Sequence, residues 1–428
     1  MRRKICVIGL GYIGLPTAAM FAKTGWDVLG VDVNAVAVEK LNRGEIHIEE
    51  VGLGELVSEV VNKNSLCASL SPNNAECFII AVPTPHHEDH TANLDYVIEA
   101  TKSILPFLEK GNTVIVESTI PPRTIDDIVG PILQNDGWAL GEDLFLAHCP
   151  ERVLPGRILI ELVENTRIVG GINEESAHKA AEIYRSFVTG DILITSAVSA
   201  EMSKLMENTY RDVNIALANE LAKISKKLGI DALEVIQLAN KHPRVNLHLP
   251  GPGVGGHCLA VDPYFIIEKD PEQSILIADA RAINNSMPKF VLEQVRKLVS
   301  RKGEKVTVLG LTYKGDIDDV RESPAMDIVS LLNEEGYNVG IYDPHVSQSQ
   351  VSFKLSTFEE AILQSSCLLV LTDHSEFKDL DEHLIVNKMQ RAVVLDTRNC
   401  IKINHPQIKY FNYGNLYEIN PMQELVMK

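Results

Sequence analysis

The chain has no Cys-x-x-Cys pair. Its seven cysteines (Cys6, Cys67, Cys77, Cys149, Cys258, Cys367, Cys400) are scattered and odd in number, which argues against a disulfide framework and against a cysteine zinc site. No apolar run is long enough to span a bilayer. Basic residues are scarce, 40 against 58 acidic ones, for a net charge of −18. A field of that sign repels nucleic acid and anionic membrane surfaces, so neither is an expected partner. The start, Met1-Arg-Arg-Lys-Ile-Cys-Val-Ile, is broken at once by glycines and lacks a cleavage-like site. It reads as a first strand rather than a leader, and a cytoplasmic protein is expected. His86, His87 and His90 stand with Glu88 and Asp89 but fit no ligand spacing. They read as a solvated loop, and no metal is expected.

What is present is an alternation of short apolar runs and helical stretches. With 428 residues it implies two or three domains. Lys4-Ile-Cys-Val-Ile-Gly9 reads as a buried strand, followed by Gly9-Leu-Gly11-Tyr12-Ile13-Gly14, a helix, and a second strand ending in Asp32. In that context the glycines permit a tight turn and the approach of a pyrophosphate to a helix N-terminus. Asp32 would accept the ribose hydroxyls and repel a 2′-phosphate, which favours NAD over NADP. Further strands end at Thr84, at Ser118-Thr119, and at Cys149-Pro-Glu151. Strand ends line the crevice of an open parallel sheet, so Thr84, Ser118 and Thr119 are candidate cofactor contacts and Glu151 a candidate acid or base. Turn capping and a surface carboxylate are the plain alternatives. Arg167-Ile-Val-Gly-Gly171 is expected to close this sheet, and the first domain is set at 1–196.

From Ser199 the chain reads as one long helix stopped by Gly229. On it Lys204, Asn208, Asp212 and Ile215 share a face, so Lys204 and Asn208 could serve one bound group, or Lys204 could simply pair with Asp212. Helices are also expected over 235–240 and 273–301. Between them, Gly251-Pro-Gly-Val-Gly-Gly-His-Cys258-Leu-Ala-Val-Asp262 can continue neither helix nor strand. It presents one thiol, and a helix starting near Cys258 would favour the thiolate. A buried structural cysteine is the alternative. The helical segment is set at 197–301. Over 302–428 a second strand–helix alternation lacks GxGxxG, and its strand ends carry Lys314, Arg321 and Arg398, suited to a phosphate. The expected fold is α/β, two Rossmann-like doubly wound parallel sheets joined by a helical domain.

Several stretches together resemble the nucleotide-sugar 6-dehydrogenases over the full length. They are Val7-Ile-Gly-Leu-Gly-Tyr-Ile-Gly-Leu-Pro16, Arg43-Gly-Glu-Ile-His-Ile48, Ala81-Val-Pro-Thr-Pro85, Cys149-Pro-Glu-Arg-Val-Leu-Pro-Gly156, Glu207-Asn-Thr-Tyr-Arg-Asp-Val-Asn-Ile-Ala216, His242-Pro-Arg-Val-Asn246, the 251–262 loop and Asp319-Val-Arg-Glu-Ser-Pro-Ala325. The resemblance implies a four-electron oxidation of a sugar C6 alcohol by NAD, through a thiohemiacetal and a thioester on Cys258. It implies a UDP-N-acetylhexosamine substrate, the mannosamine epimer first and the glucosamine or galactosamine epimers as alternatives, with the product serving surface polysaccharide. It carries catalytic roles to Thr119, Glu151, Lys204, Asn208, Cys258 and Asp262. Cofactor contacts fall on Gly9, Gly11, Tyr12, Ile13, Gly14, Asp32, Thr84, Thr119 and Arg321. Substrate contacts fall on Glu151, Arg152, Val153, Lys204, Asn208, Arg211, Arg244, His257, Lys314 and Arg398, with Arg244 reaching a neighbouring subunit. It also implies a homodimer or larger homo-oligomer through the long helix. Val51, Arg123 and Thr312 depart from the family pattern, and Arg123 stands where a glycine is common, which bears on the turn after Thr119. A one-step dehydrogenase with a structural Cys258, and a non-catalytic dinucleotide sensor, are the competing readings.

Overall fold

A computed structural model describes residues 3–154, 156–299 and 301–419. Pro155, inside the Cys149–Gly156 motif, Ser300 and the end of the last proposed domain lie outside the described residues. The chain divides into two compact units, Met1–Glu207 with Tyr264–Pro271, and Asn208–Pro263 with Glu272–Lys428.

The first unit is built on an eight-stranded sheet. Its strands are β1 (Lys4–Ile8), β2 (Asp27–Val31), β3 (Leu66–Ser69), β4 (Cys77–Ile80), β5 (Thr113–Val116), β6 (Phe145–His148), β7 (Arg167–Gly171) and β8 (Ile192–Ser196), in the order β3-β2-β1-β4-β5-β6-β7-β8. Successive side chains of a strand face opposite sides. Ile5 and Val7 of β1 therefore join Cys77 and Ile79 of β4 in one core, while Cys6 and Ile8 join Phe78 and Ile80 in the other. Both faces are buried, which is why these strands read as unbroken apolar runs. All pairs are parallel except β6 with β7. The sheet does not close at Gly171 as expected, because β8 pairs beyond β7.

The second unit carries a five-stranded, all-parallel sheet of β9 (Lys305–Leu309), β10 (Asn338–Tyr342), β11 (Ser365–Val370), β12 (Val393–Asp396) and β13 (Lys409–Asn412), ordered β10-β9-β11-β12-β13. Cys367 and Leu369 of β11 enter one core, Leu368 and Val370 the other. The long helix spans Ala197–Leu228 and ends at Gly229 in the left-handed region (φ 73°), with Ile230 N–H returning to the Ser225 carbonyl at 3.1 Å, a glycine C-terminal cap. The stretch expected as one helix over 273–301 is two, Ile275–Asn285 and Met287–Leu298, broken at Ser286 ahead of Pro288, whose ring cannot follow a continuous helical hydrogen-bond ladder. Among the described residues no helix is long and apolar enough to cross a membrane.

Candidate active site

In the first unit the turn after β1 is tight for a stated reason. Gly9 adopts φ 92°, and a Cβ there would lie 2.4 Å from the Ala81 carbonyl oxygen. At Gly14, the first residue of the helix Gly14–Lys23, it would lie 1.9 Å from the Gly9 oxygen. At Gly11 it would meet nothing within 4 Å, so this backbone is open to a ligand. Ile13, at the N-cap position, offers no side-chain acceptor to the first turn, whose N–H groups suit a pyrophosphate. Leu10 N–H donates to Asp32 Oδ2 and Asn34 N–H to Oδ1, both at 2.9 Å. Asp32 is half-buried, aimed by two backbone bonds with lone pairs to spare for ribose hydroxyls. The turn fits a dinucleotide. Tyr12 is 48% exposed beside it.

Thr84 and Ser118 spend their hydroxyl donors on turn carbonyls, Thr84 on Thr119 O at 2.6 Å and Ser118 on Val82 O at 2.7 Å. They tie together the loops leaving β4 and β5. Thr119 follows, half-buried. Arg123 takes φ 70°, the backbone a glycine would adopt freely. Its N–H donates to Glu201 Oε2 at 2.6 Å, and that of Ile125 to Glu201 Oε1 at 2.9 Å, while its guanidinium forks onto Asp127. Burial pushes the Glu201 carboxyl up to about 7, against the pull of the two N–H bonds.

Glu151 Oε1 accepts its neighbour's N–H, that of Arg152, at 2.7 Å, and Oε2 accepts Arg167 Nη2 at 2.8 Å. The Arg152 guanidinium is committed to Glu207 (2.6 Å) and to the Thr166 carbonyl, and Val153 packs on the core. Lys204 is half-buried and makes no hydrogen bond or ion pair with another described residue of its unit. Asp212 is fully buried and bound to Arg281 Nη1 at 2.6 Å and Asn284 Nδ2 at 2.8 Å.

The histidine loop is not a free solvated loop. His90 stacks on Tyr264 at 4.1 Å and 8°, and Ala92 N–H donates to Glu268 at 2.9 Å.

In the second unit the cysteine loop is assembled. The helix expected at Cys258 starts at Asp262; Cys258 sits in the preceding turn, where its carbonyl accepts Val261 and Asp262 N–H at 3.1 and 2.8 Å. Asp262 is buried and its Oδ2 accepts Asn208 Nδ2 at 2.5 Å. Arg211 donates to Asn208 Oδ1. The thiol is half-buried, unlike Cys6, Cys149 and Cys367, whose thiols burial pushes up to about 12, 11 and 12. A thiol kept protonated in a core is inert.

The loop glycines are needed where the loop lies against the turn leaving β9. A Cβ on Gly255 would sit 2.4 Å from Glu322 O, and on Gly256, at φ 83°, 2.7 Å from the Tyr313 ring. Gly251 is held by Asn219 and by Tyr413 OH, each at 2.8 Å, and a Cβ there would lie 3.3 Å from Arg398 Nη1. Arg321 forks onto Asp319 (2.7 and 2.9 Å) and reaches His257 Nδ1 at 3.2 Å. Arg398 binds Asp373 at 2.8 Å. Lys314 is exposed on the same turn. Arg244 is exposed and touches His242.

Asp316, His345, His374 and Glu376 bring ligand atoms within 4.8 Å of one another. His374 Nδ1 accepts Asp316 N–H and its Nε2 faces Asp343 Oδ2, so neither nitrogen has a lone pair for a metal ion.

Sequence reasoning missed Glu117, Arg167 and Glu201. The available signal was a charged residue placed in or against a run that must be buried.

The family models for the UDP-glucose/GDP-mannose dehydrogenase family match this chain three times: the NAD binding domain at residues 3–188, the central domain at 198–286 and the UDP binding domain at 307–403. The chain is 48% identical to the UDP-N-acetyl-D-mannosamine dehydrogenase of Methanocaldococcus jannaschii, over 93% of each. It is 43% identical to the NDP-N-acetyl-D-galactosaminuronic acid dehydrogenase of Ralstonia solanacearum, over 92% of this chain and 96% of that one. Its structure resembles that of the Staphylococcus aureus UDP-N-acetyl-mannosamine dehydrogenase with TM-score 0.91 and 54% identity, covering 97% of this chain and all of the other.

Proposed function

The chain belongs to the UDP-glucose/GDP-mannose dehydrogenase family, and from that premise we propose the reaction and the residues that perform it. It is an NAD-dependent nucleotide-sugar dehydrogenase that oxidises the C6 alcohol of UDP-N-acetyl-D-mannosamine to the uronate. The carrying observation is the constellation of the second unit, in which a half-buried thiol stands one turn ahead of a buried aspartate held by Asn208.

The Gly9–Gly14 turn and Asp32 would hold NAD, which would supply the two hydride acceptances, one per molecule, that the passage of the C6 alcohol to aldehyde and of a thiohemiacetal to a thioester requires. Cys258 Sγ bonds to the aldehyde carbon and loses its proton. Water then adds to the thioester, the C–S bond breaks, and thiol and carboxylate part. Lys204 and Asn208 stabilise the oxyanion. The Lys204 ammonium carries no carboxylate partner among the described residues of its unit, and the Asn208 amide is oriented by Asp262; donors fixed in advance lower such barriers most. Asp262 and Glu151 handle protons and position water, with Thr119. Arg398, Arg321, Lys314, His257, Arg211, Arg152 and Val153 hold the nucleotide sugar, Arg321 also facing the cofactor.

The domain roles we read are dinucleotide binding over 1–196, a central segment carrying the thiol over 197–301, and nucleotide-sugar binding over 302–428. The long helix exposes Tyr210, Leu217, Ile224 and Leu228 at coiled-coil spacing. This apolar stripe supports a homodimer, in which Arg244 serves the partner's substrate. Scattered cysteines without a Cys-x-x-Cys pair support a cytoplasmic place, and the product is suited to surface polysaccharide.

The test is the ratio of NADH formed to sugar consumed. Two per UDP-N-acetylmannosamine, with acid formation abolished in Cys258→Ser, is expected. One per sugar, or acid from the variant, would sink the thioester route. The similarity to an N-acetylgalactosaminuronic relative makes the galactosamine epimer the second substrate to try.

A further inference from the structure

Behind Glu151 lies a buried charge cluster that the reaction above does not use. Arg167, in the edge-ward strand β7, has a side chain 5% exposed. Nη2 holds Glu151 Oε2 at 2.8 Å. Nη1 lies 3.5 Å from Glu117 Oε1 and 3.6 Å from Cys149 Sγ. The guanidinium lies over the Tyr184 ring at 4.5 Å. Glu117 directly follows β5 and is itself buried. Tyr184 OH donates to its Oε1 at 2.6 Å, and Thr17 Oγ1 to its Oε2 at 3.2 Å. Thr17 is on the helix that begins at the dinucleotide turn. One cation thus faces two carboxylates, Glu117 fully buried and Glu151 with its side chain 9% exposed.

We propose that Arg167 is a positioning residue for the oxidation: it fixes Glu151 as an oriented anion, and Glu117 sets how much of its charge Glu151 receives. The inference rests on the role given to Glu151 above. A carboxylate pinned by a buried guanidinium on one oxygen and a backbone N–H on the other has one orientation, which suits holding a water in place. When Glu117 is neutral, Arg167 serves Glu151 alone. When Glu117 ionises, the guanidinium is shared and its hold on Glu151 weakens. The groups facing Glu117 are Arg167, Glu151, Tyr184, Cys149 and Cys77. Burial, opposed by Arg167 and reinforced by Glu151, pushes the Glu117 carboxyl up to about 7, so sharing sets in as pH rises through neutrality.

Four variants test this on the intact enzyme: Glu151→Gln, Arg167→Lys, the double variant and Glu117→Gln. Glu151→Gln and Arg167→Lys should each lower kcat about 10- to 100-fold while KM for NAD stays within about threefold, since lysine keeps the charge but loses the fork. The double variant should be no slower than Glu151→Gln, because the two act as one unit. Glu117→Gln copies the neutral acid. Its kcat should match wild type well below pH 7 and exceed it increasingly above. If Glu151→Gln keeps wild-type kcat, the role of Glu151 falls and this inference with it. If Glu151→Gln is slow but Arg167→Lys is not, or their losses multiply, positioning by Arg167 alone is wrong. Should Arg167→Lys fail to fold, the Glu117→Gln pH profile decides: a constant ratio to wild type across neutrality overturns the proposal.

Discussion

The two sheets use the same device at their first crossover and put it to different ends. In the first unit Gly9 (φ 92°) donates to the Val31 carbonyl and Leu10 N–H donates to Asp32. In the second Gly310 (φ 86°) donates to the Tyr342 carbonyl and Leu311 N–H donates to Asp343 at 2.7 Å. Each aspartate also caps the backbone two residues on, at Asn34 and at His345. From there they diverge. After Gly9 the helix starts at Gly14. After Gly310 it waits until Pro324, and the intervening turn carries Lys314 and Arg321 and seats the glycines of the cysteine loop. Asp32 stays half-open. Asp343 is buried, accepting Val346 N–H as well and bonding His374 at 3.1 Å. An aspartate at the end of the second strand therefore keeps lone pairs open in one sheet and is an internal strut in the other. The length of the following turn decides which.

The strongest way to break the parallel is to add a methyl group at the hinge. Gly9→Ala and Gly310→Ala should both cost about 3 kcal/mol or more, because each combines a left-handed backbone with a Cβ in contact, 2.4 Å from Ala81 O and 2.3 Å from Thr372 Cβ. Chemical denaturation reads it, and a tolerated substitution at either position would end the claimed equivalence. The aspartates should then separate the two uses. Asp343→Ala should destabilise by about 3 kcal/mol, leaving three N–H groups without their acceptor and His374 Nε2 without its carboxylate. Asp32→Ala should weaken NAD about 10- to 100-fold with a small change in Tm. Unchanged NAD affinity in titration calorimetry, or a Tm loss as large as that of Asp343→Ala, would make Asp32 a strut too.

Acid should act on the units in opposite directions. Asp343 is buried, which raises its carboxyl, but the His374 and backbone hydrogen bonds win and hold it below the usual range. Its stabilisation is present above the ordinary aspartate pKa and fades as pH falls through the lowered one. Glu201 is raised to about 7. Its contribution is fullest below the ordinary glutamate pKa and is lost as pH rises to about 7, by about 3 kcal/mol. Hydrogen exchange resolved by unit should show the first loosening from pH 5 to 7 in wild type and less steeply in Glu201→Gln, where Glu117 alone still contributes, with no such slope in the second. The smallest effect belongs to the surface. Removing Glu76 from Arg3, or Glu335 from Arg296, should leave both units' melting unchanged within error, since exposed pairs contribute little.

Local signals were readable where one stretch carries the whole device. The glycine turn, Asp32, the Gly229 stop and the breaker-rich loop around Cys258 each announce themselves within a few residues. Pairing across the chain was not. Nothing near Asp343 distinguishes it from Asp32, because His374 lies far along the sequence. Arg167 looked like the start of an apolar strand, and its partners Glu117 and Glu151 sit on other strands' ends. The reversal of β7 against β6 leaves no local mark, since both are short runs buried on two faces. Arg123 looked like a misfit for its turn. The Glu201 carboxylate, supplied from the long helix, holds the left-handed backbone in place.

The route of the chain has a practical consequence. It leaves the first unit at Glu207, crosses into the second, returns for Tyr264–Pro271, and leaves again. That short return packs Tyr264 on His90 and ties Glu268 to Ala92. On the ribosome the first sheet can be paired long before this segment emerges, and it must wait for its final stitch until part of its neighbour has been made. No single cut in the gene yields two whole halves, because any fragment that keeps the stitch also takes the thiol loop with it. Split versions of this enzyme should therefore be sought in loops within one sheet and not at the apparent border between the two.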